Sequence, residues 1–229
     1  MRVGVRVTIS MDTDIDRKFA EVRKMGMESC QLVCWDRAVL HSRPAVQKIK
    51  EAMEYHGITV TAFWCGWEGR VVWDFYEGQL TLGLVPADSR MDRLKMLTEG
   101  SDFARELGVT DFVTHVGYMP ENPYDSKYEE VLTACKAIVD HCRKNGQNFL
   151  FETGQETPVT LKRAIQDIEK TLGKGNVGIN LDPANLIMYG KANPVDAVEV
   201  FGEYVMGVHG KDGMYPTAGY FLGKEVPLG

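Results

Sequence analysis

Short apolar runs alternate with longer amphipathic stretches along almost the whole chain, and this alternation constrains the fold more than any other feature. The runs are Val3–Ile9, Ser29–Cys34, Ile58–Phe63, Asp111–His115, Asn148–Glu152, Val177–Asp182 and Tyr204–His209. Between them lie Asp14–Lys24, Ala45–Tyr55, Met91–Leu107, Lys127–Lys144, Pro158–Leu172 and Pro194–Phe201, with apolar residues at three- and four-residue spacing. That spacing is helical. A long polar loop with aromatic residues, Trp64 to about Pro86, interrupts the rhythm. Strands that alternate with helices predict a parallel sheet. About seven strand–helix units exceed a mononucleotide-binding half-fold, and no Gly-x-Gly-x-x-Gly follows the first strand, which argues against a dinucleotide-binding sheet. The expectation is an α/β fold: a (β/α)8 TIM-type barrel, one domain over residues 1–229.

The end of the chain departs from that pattern. After His209 comes a loop containing Gly and Tyr, with no eighth strand before Gly229. A barrel closes to remove its sheet edges. The reading is therefore a barrel truncated or incomplete before its eighth strand, or one whose gap a partner chain fills. An open edge between the first and seventh strands invites pairing into a homo-oligomer.

The formal net charge of −6 lacks the broad basic footprint that binding a phosphate backbone requires. The five cysteines are odd in number and form no CxxC knuckle, which suits reduced thiols and a cytoplasmic protein. Met1–Val5 reads as a strand rather than a secretory leader. No apolar run approaches the ~20 residues of a membrane span.

Barrels of this type carry their chemistry at the C-terminal ends of the strands. The fifth strand ends at Glu152, the sixth at Asp182 and the seventh at His209. By period two, Gly178, Asn180 and Asp182 share the barrel face, while Val177, Ile179 and Leu181 face the helices. Neighbouring strands lie about 4.8 Å apart, so the three end residues converge. Two carboxylates and an imidazole suit a divalent metal. Oxygen-rich ligation favours Mn2+, with Mg2+, Co2+ or Zn2+ as alternatives.

The segments Phe151-Glu152-Thr153-Gly154, Leu181-Asp182-Pro183-Ala184-Asn185 and Val208-His209-Gly210-Lys211-Asp212 resemble the xylose-isomerase-like barrel superfamily, specifically its sugar phosphate isomerase/epimerase group. The tail Gly223–Gly229 resembles the loop before the last strand of such proteins. The resemblance implies that Glu152, Asp182 and His209 bind the metal, with a fourth Glu ligand on a last strand beyond Gly229. It implies proton abstraction next to a carbonyl, through a metal-stabilised enediolate, on a sugar, ketose or sugar phosphate. Glu152 is then the base and Lys211 the stabiliser of developing charge. His115 is expected to contact substrate oxygens or a water, and Asn185 a hydroxyl. Several relatives carry His where this chain has Asn185, which weakens assignment to any one epimerase. Trp35 and Trp64, with Trp67, are expected either to face the sugar or to pack as a lid. The alternatives are a metal-dependent lyase or dehydratase on a polyol-like substrate, and a non-catalytic sugar-binding barrel. A multi-zinc nuclease is disfavoured by the charge and by only two strand-end histidines, His115 and His209.

Overall fold

The computed structural model describes residues 2–229. Seven parallel strands form one sheet in sequence order: β1 (Val5–Ile9), β2 (Ser29–Cys34), β3 (Thr59–Cys65), β4 (Asp111–Thr114), β5 (Asn148–Glu152), β6 (Val177–Leu181) and β7 (Val205–Val208). Long helices connect them: α1 (Ile15–Lys24), α3 (Arg43–His56), α5 (Arg90–Glu106), α6 (Ser126–Lys144), α7 (Pro158–Leu172) and α9 (Pro194–Phe201). This is the TIM-type α/β arrangement, with seven parallel strands curled into a partial barrel. Among the described residues β1 and β7 are the sheet edges. The curl is deep enough that Gln31 on β2 reaches His209, just after β7, at 2.9 Å.

Local chemistry sets the helix boundaries. Asp14 and Ser42 accept from the backbone N–H groups of Arg17 and Ala45 and start α1 and α3. Pro158 and Pro194 occupy first-turn positions of α7 and α9, where a missing N–H costs nothing. Gly57 ends α3 in the left-handed conformation, with φ 61°, which glycine adopts without strain.

The strands sort their side chains by period two. Phe63, Phe112 and Phe149, on three adjacent strands, stack outward beneath the helices with ring centroids 6.2 and 6.3 Å apart, and Phe103 of α5 adds to the row at 5.5 Å. Each is fully buried, a gain of roughly 1.5–3 kcal/mol per side chain. The alternating residues Trp64, Val113 and Leu150 point to the barrel interior and join Val33, Trp67 and Leu82 in a second, smaller cluster. Towards the open side the interior turns polar. Arg6, Gln31, Thr61, Asp111 and Asn180 line a cavity of about 680 Å³ between the two edges.

Three short helices and a hairpin add to the seven units. They are α2 (Arg37–Leu40), α4 (Gly78–Thr81), α8 (Pro183–Met188), and the antiparallel pair β8 (Asp212–Met214) and β9 (Lys224–Val226). The sequence pattern predicts a loop after His209; the segment instead forms a hairpin. Its strand β8 packs on α8, so closely that a Cβ on Gly213 would lie 3.1 Å from the Ala184 carbonyl. Strand ends also shift: β4 stops at Thr114, β6 at Leu181 and β7 at Val208, so His115, Asp182 and His209 each follow their strand. No helix of the described residues is long and apolar enough to cross a membrane.

Candidate active site

Glu152, Asp182 and His209 meet at the C-terminal ends of β5, β6 and β7. One ligand atom from each lies within 4.8 Å of the others. The His209 Nδ1 is 3.1 Å from Glu152 Oε1 and 3.3 Å from Asp182 Oδ2. Octahedral ligands about 2.1 Å from an ion sit about 3 Å from their neighbours, so the spacing suits a shared cation. Both carboxylates are buried.

The strand ends lock one another. The Thr153 hydroxyl accepts from the Asp182 N–H at 2.8 Å and donates to the Asp182 carbonyl at 3.0 Å. The His209 N–H donates to the Leu181 carbonyl at 2.8 Å. Asp182 caps α8 by accepting from the Asn185 N–H with Oδ1, which leaves Oδ2 facing the cluster. Trp64 Nε1 donates to Glu152 Oε2, and the Asn185 amide reaches Oε1 at 3.3 Å. The Lys211 ammonium is 2.9 Å from Asp182 Oδ2 and 3.4 Å from Glu225 on β9.

These contacts set the charges. Burial alone would raise the Glu152 pKa, but His115 and His209 beside it outweigh burial and hold it well below the usual carboxylate range. Burial opposes the charge on His209, yet Asp182 and Glu152 lift its pKa to about 9. The Lys211 pKa is likewise raised against burial, chiefly by Asp182. Without an ion, then, His209 and Lys211 supply the positive charge that two buried carboxylates need. The donor set fits a divalent metal: a carboxylate oxygen from each of Glu152 and Asp182 and the His209 imidazole face one point, and the cations His209 and Lys211 stand against those oxygens.

A cavity of about 400 Å³ opens over the cluster, lined by Glu152, His209, Lys211, His115, Asn185, Trp35, Trp64, Trp73, Tyr189, Arg6 and Val33. Every residue singled out from sequence for metal, catalysis or substrate lines it, except Asp182 and Trp67, which are buried. The tryptophans pack on one another as one wall: Trp35 is 4.9 Å from Trp64 and 5.3 Å from Trp67 between ring centroids. Gly66 permits this, since a Cβ there would sit 2.2 Å from the Trp35 ring. Trp67 is buried outside the cavity lining. Trp35 and Trp64 therefore pack on one another and also line the cavity.

His115 Nε2 lies 3.4 Å from Glu152 Oε1 and 3.5 Å from the Asn185 amide. Four polar or aromatic residues of the cavity or cluster, Arg6, Gln31, Trp73 and Tyr189, are not among those expected from the sequence. Gln31 had a visible signal, a polar residue inside the apolar run Ser29–Cys34. Arg6 sits in an alternating strand. Trp73 and Tyr189 arrive from loops whose course no local pattern dictates. The remaining histidines pair on the outside, His56 with Asp16 at 2.8 Å, His141 with Asp102 at 2.9 Å and His41 with Glu99 at 3.2 Å.

The sequence profile of a family described as xylose isomerase-like TIM barrel matches residues 19–229. The chain belongs to this family. A xylose isomerase domain protein from Planctomyces limnophilus is 30% identical, superposes with a TM-score of 0.87, and is matched over 100% of this chain and 81% of its own. A xylose isomerase-like barrel protein from Mycobacterium smegmatis in complex with magnesium is 14% identical, with a TM-score of 0.67 over 99% of this chain and 80% of that one. A D-psicose 3-epimerase solved in the presence of D-fructose is 14% identical, with a TM-score of 0.65 over 90% and 72%. At that identity the last two speak for the fold alone. No curated protein matches this member of the xylose isomerase-like family by sequence.

Proposed function

We propose that this chain is a divalent-metal-dependent isomerase or epimerase of small sugars, working by proton abstraction next to a carbonyl. One observation carries the reading: Glu152, Asp182 and His209 converge at the floor of a cavity walled by Trp35 and Trp64 and edged by His115, Asn185 and Lys211. The magnesium complex of one structural neighbour and the epimerase name of another support it. Glu152, Asp182 and His209 would hold the ion. When bound, such an ion polarises a carbonyl and the hydroxyl beside it, which acidifies the adjacent C–H.

The chain's own residues do the rest. Glu152 takes the proton on a carboxylate oxygen. Its depressed pKa makes it a weak base, so the step depends on the acidified C–H rather than on basicity. Lys211, half-buried beside Asp182, sets a positive charge where an enediolate oxygen develops. Asn185 offers its amide to a substrate oxygen. The aromatic wall covers apolar sugar faces and limits water.

The test is exchange with solvent. Protein loaded with Mn2+ is incubated in D2O with D-fructose, D-psicose, D-tagatose and L-ribulose, then with their phosphates. Deuterium appearing next to the carbonyl, together with an epimer or isomer, is expected for at least one sugar. Glu152→Gln should lower that rate at least about 1,000-fold, within the range of removing a general base and a ligand together. A dehydrated product in place of a deuterated sugar would move the assignment to a lyase. Binding with no exchange would leave a sugar-binding barrel.

A further inference from the structure

Three buried side chains carry polar atoms with no partner: the hydroxyl of Tyr189 and Nδ1 of His115, both of which line the cavity, and both amide atoms of Gln155 behind them. Their exposures are 4%, 5% and 1%. Buried polar groups are normally paired, and an orphan calls for an explanation. These orphans sit together. Gly154 lies between them, since a Cβ on it would be 3.4 Å from both the His115 and the Tyr189 rings. The Gln155 amide lies close enough to the Tyr189 hydroxyl to interact with it, although neither group meets full hydrogen-bond geometry. Tyr189 and His115 both line the cavity.

The charges around these orphans limit what they can take. The cavity's other cations, Arg6 and Lys211, belong to the β1 and β7 side. His115 is matched by Glu152 at 3.4 Å, and Lys191 is paired with Glu121 at 3.3 Å. Glu156, buried and next in sequence to Gln155, adds a carboxylate. A phosphate would bring two negative charges to a place with no unpaired cation. A hydroxyl, which both donates and accepts, satisfies a phenol, an amide and an imidazole nitrogen at no charge cost.

We infer that Tyr189, Gln155 and His115 Nδ1 form a subsite for the neutral hydroxyls at the far end of an unphosphorylated sugar, with Tyr189 and Gln155 as the specificity-determining residues. This rests on the sugar reading above and narrows it. A pocket built to pair with a hydroxyl discriminates strongly against ligands that lack it.

Calorimetric binding to Mn2+-loaded protein tests it, with D-fructose, D-psicose and D-tagatose, their 6-phosphates, and the three-carbon ketose dihydroxyacetone. In wild type the best ketohexose should bind about tenfold more tightly than its 6-phosphate. Tyr189→Phe and Gln155→Leu should each weaken that ketohexose about five- to tenfold and leave dihydroxyacetone within about twofold. Both variants should melt no lower than wild type without ligand, because the atoms removed have no partner; a purely structural role would lower the melting temperature. Tighter binding of the 6-phosphate, unchanged ketohexose affinity in both variants, or equal losses for three- and six-carbon ketoses would each overturn the subsite alone. Wild type that binds no sugar at all would overturn the sugar reading and the subsite with it.

Discussion

Glu156 shows how a single buried group shapes the behaviour of this chain. Burial pushes its pKa up from 4.5 to about 7, with His115 only partly offsetting that. The folded-state pKa lies above the unfolded one, so its contribution to stability is fully present below about pH 4.5 and is lost as pH rises through 7. Glu156→Gln removes the ionisation. The variant should therefore gain stability relative to wild type above pH 7, on the order of 2–3 kcal/mol, and gain little at pH 4.5. Urea unfolding at pH 4.5, 6 and 8 checks this; a difference independent of pH would contradict it. Lys211 works the opposite way. Its ammonium is 2.9 Å from the fully buried Asp182, so Lys211→Met should cost the metal-free protein about 1–3 kcal/mol. The same change should tighten Mn2+ binding, because the ion no longer competes with a tethered cation. Denaturant titration with and without Mn2+ reads both effects.

Loops and helices hold the site in register, and glycine is decisive at one crossing. Gly83 has φ +63°, and a Cβ on it would lie 2.0 Å from the Val116 carbonyl. Leu84 N–H donates to that same carbonyl at 2.8 Å, which ties the segment after β3 to the segment after His115. Gly83→Ala should destabilise by at least about 2 kcal/mol, or roughly 5 °C in melting temperature. Gly108→Ala is the comparison: φ is +77° but nothing lies within 4 Å, so only conformational strain of about 1 kcal/mol applies. Equal losses in the two would show that the crossing is not tight. The elements also show what was legible in the sequence. β5, α7 and α9 run over the residues their pattern indicates: β5 is a short, mostly apolar run buried on both faces, while α7 and α9 bury one face each and begin at Pro158 and Pro194. The convergence of Glu152, Asp182 and His209 was legible for the same reason: it needs only strand order and period two. Tyr189, Trp73 and Gln155 were not. Their positions depend on where loops pack against distant strands, and no short-range pattern encodes that. The β8–β9 hairpin was hidden because its pairing spans residues 212–226 and is fixed by packing on α8.

The whole molecule places its charge burden at one point. Seven strands curl so that β2 and the end of β7 touch through Gln31 and His209, and the buried carboxylates lie where the last strands end. An ion bound there binds only the folded chain, since the three ligands are 57 residues apart in sequence at their widest. At 100 times its dissociation constant it should add about 2.7 kcal/mol and raise the melting temperature by about 5–10 °C, an effect that EDTA reverses. The most direct measurement is calorimetric titration of Mn2+ into metal-free wild type and into Asp182→Ala, with circular dichroism confirming that both are folded. The account predicts one site per chain in wild type and at least a 100-fold loss of affinity in the variant, as expected on removing a ligand. Folded wild type that takes up no Mn2+, or a variant that binds as tightly as wild type, would contradict it.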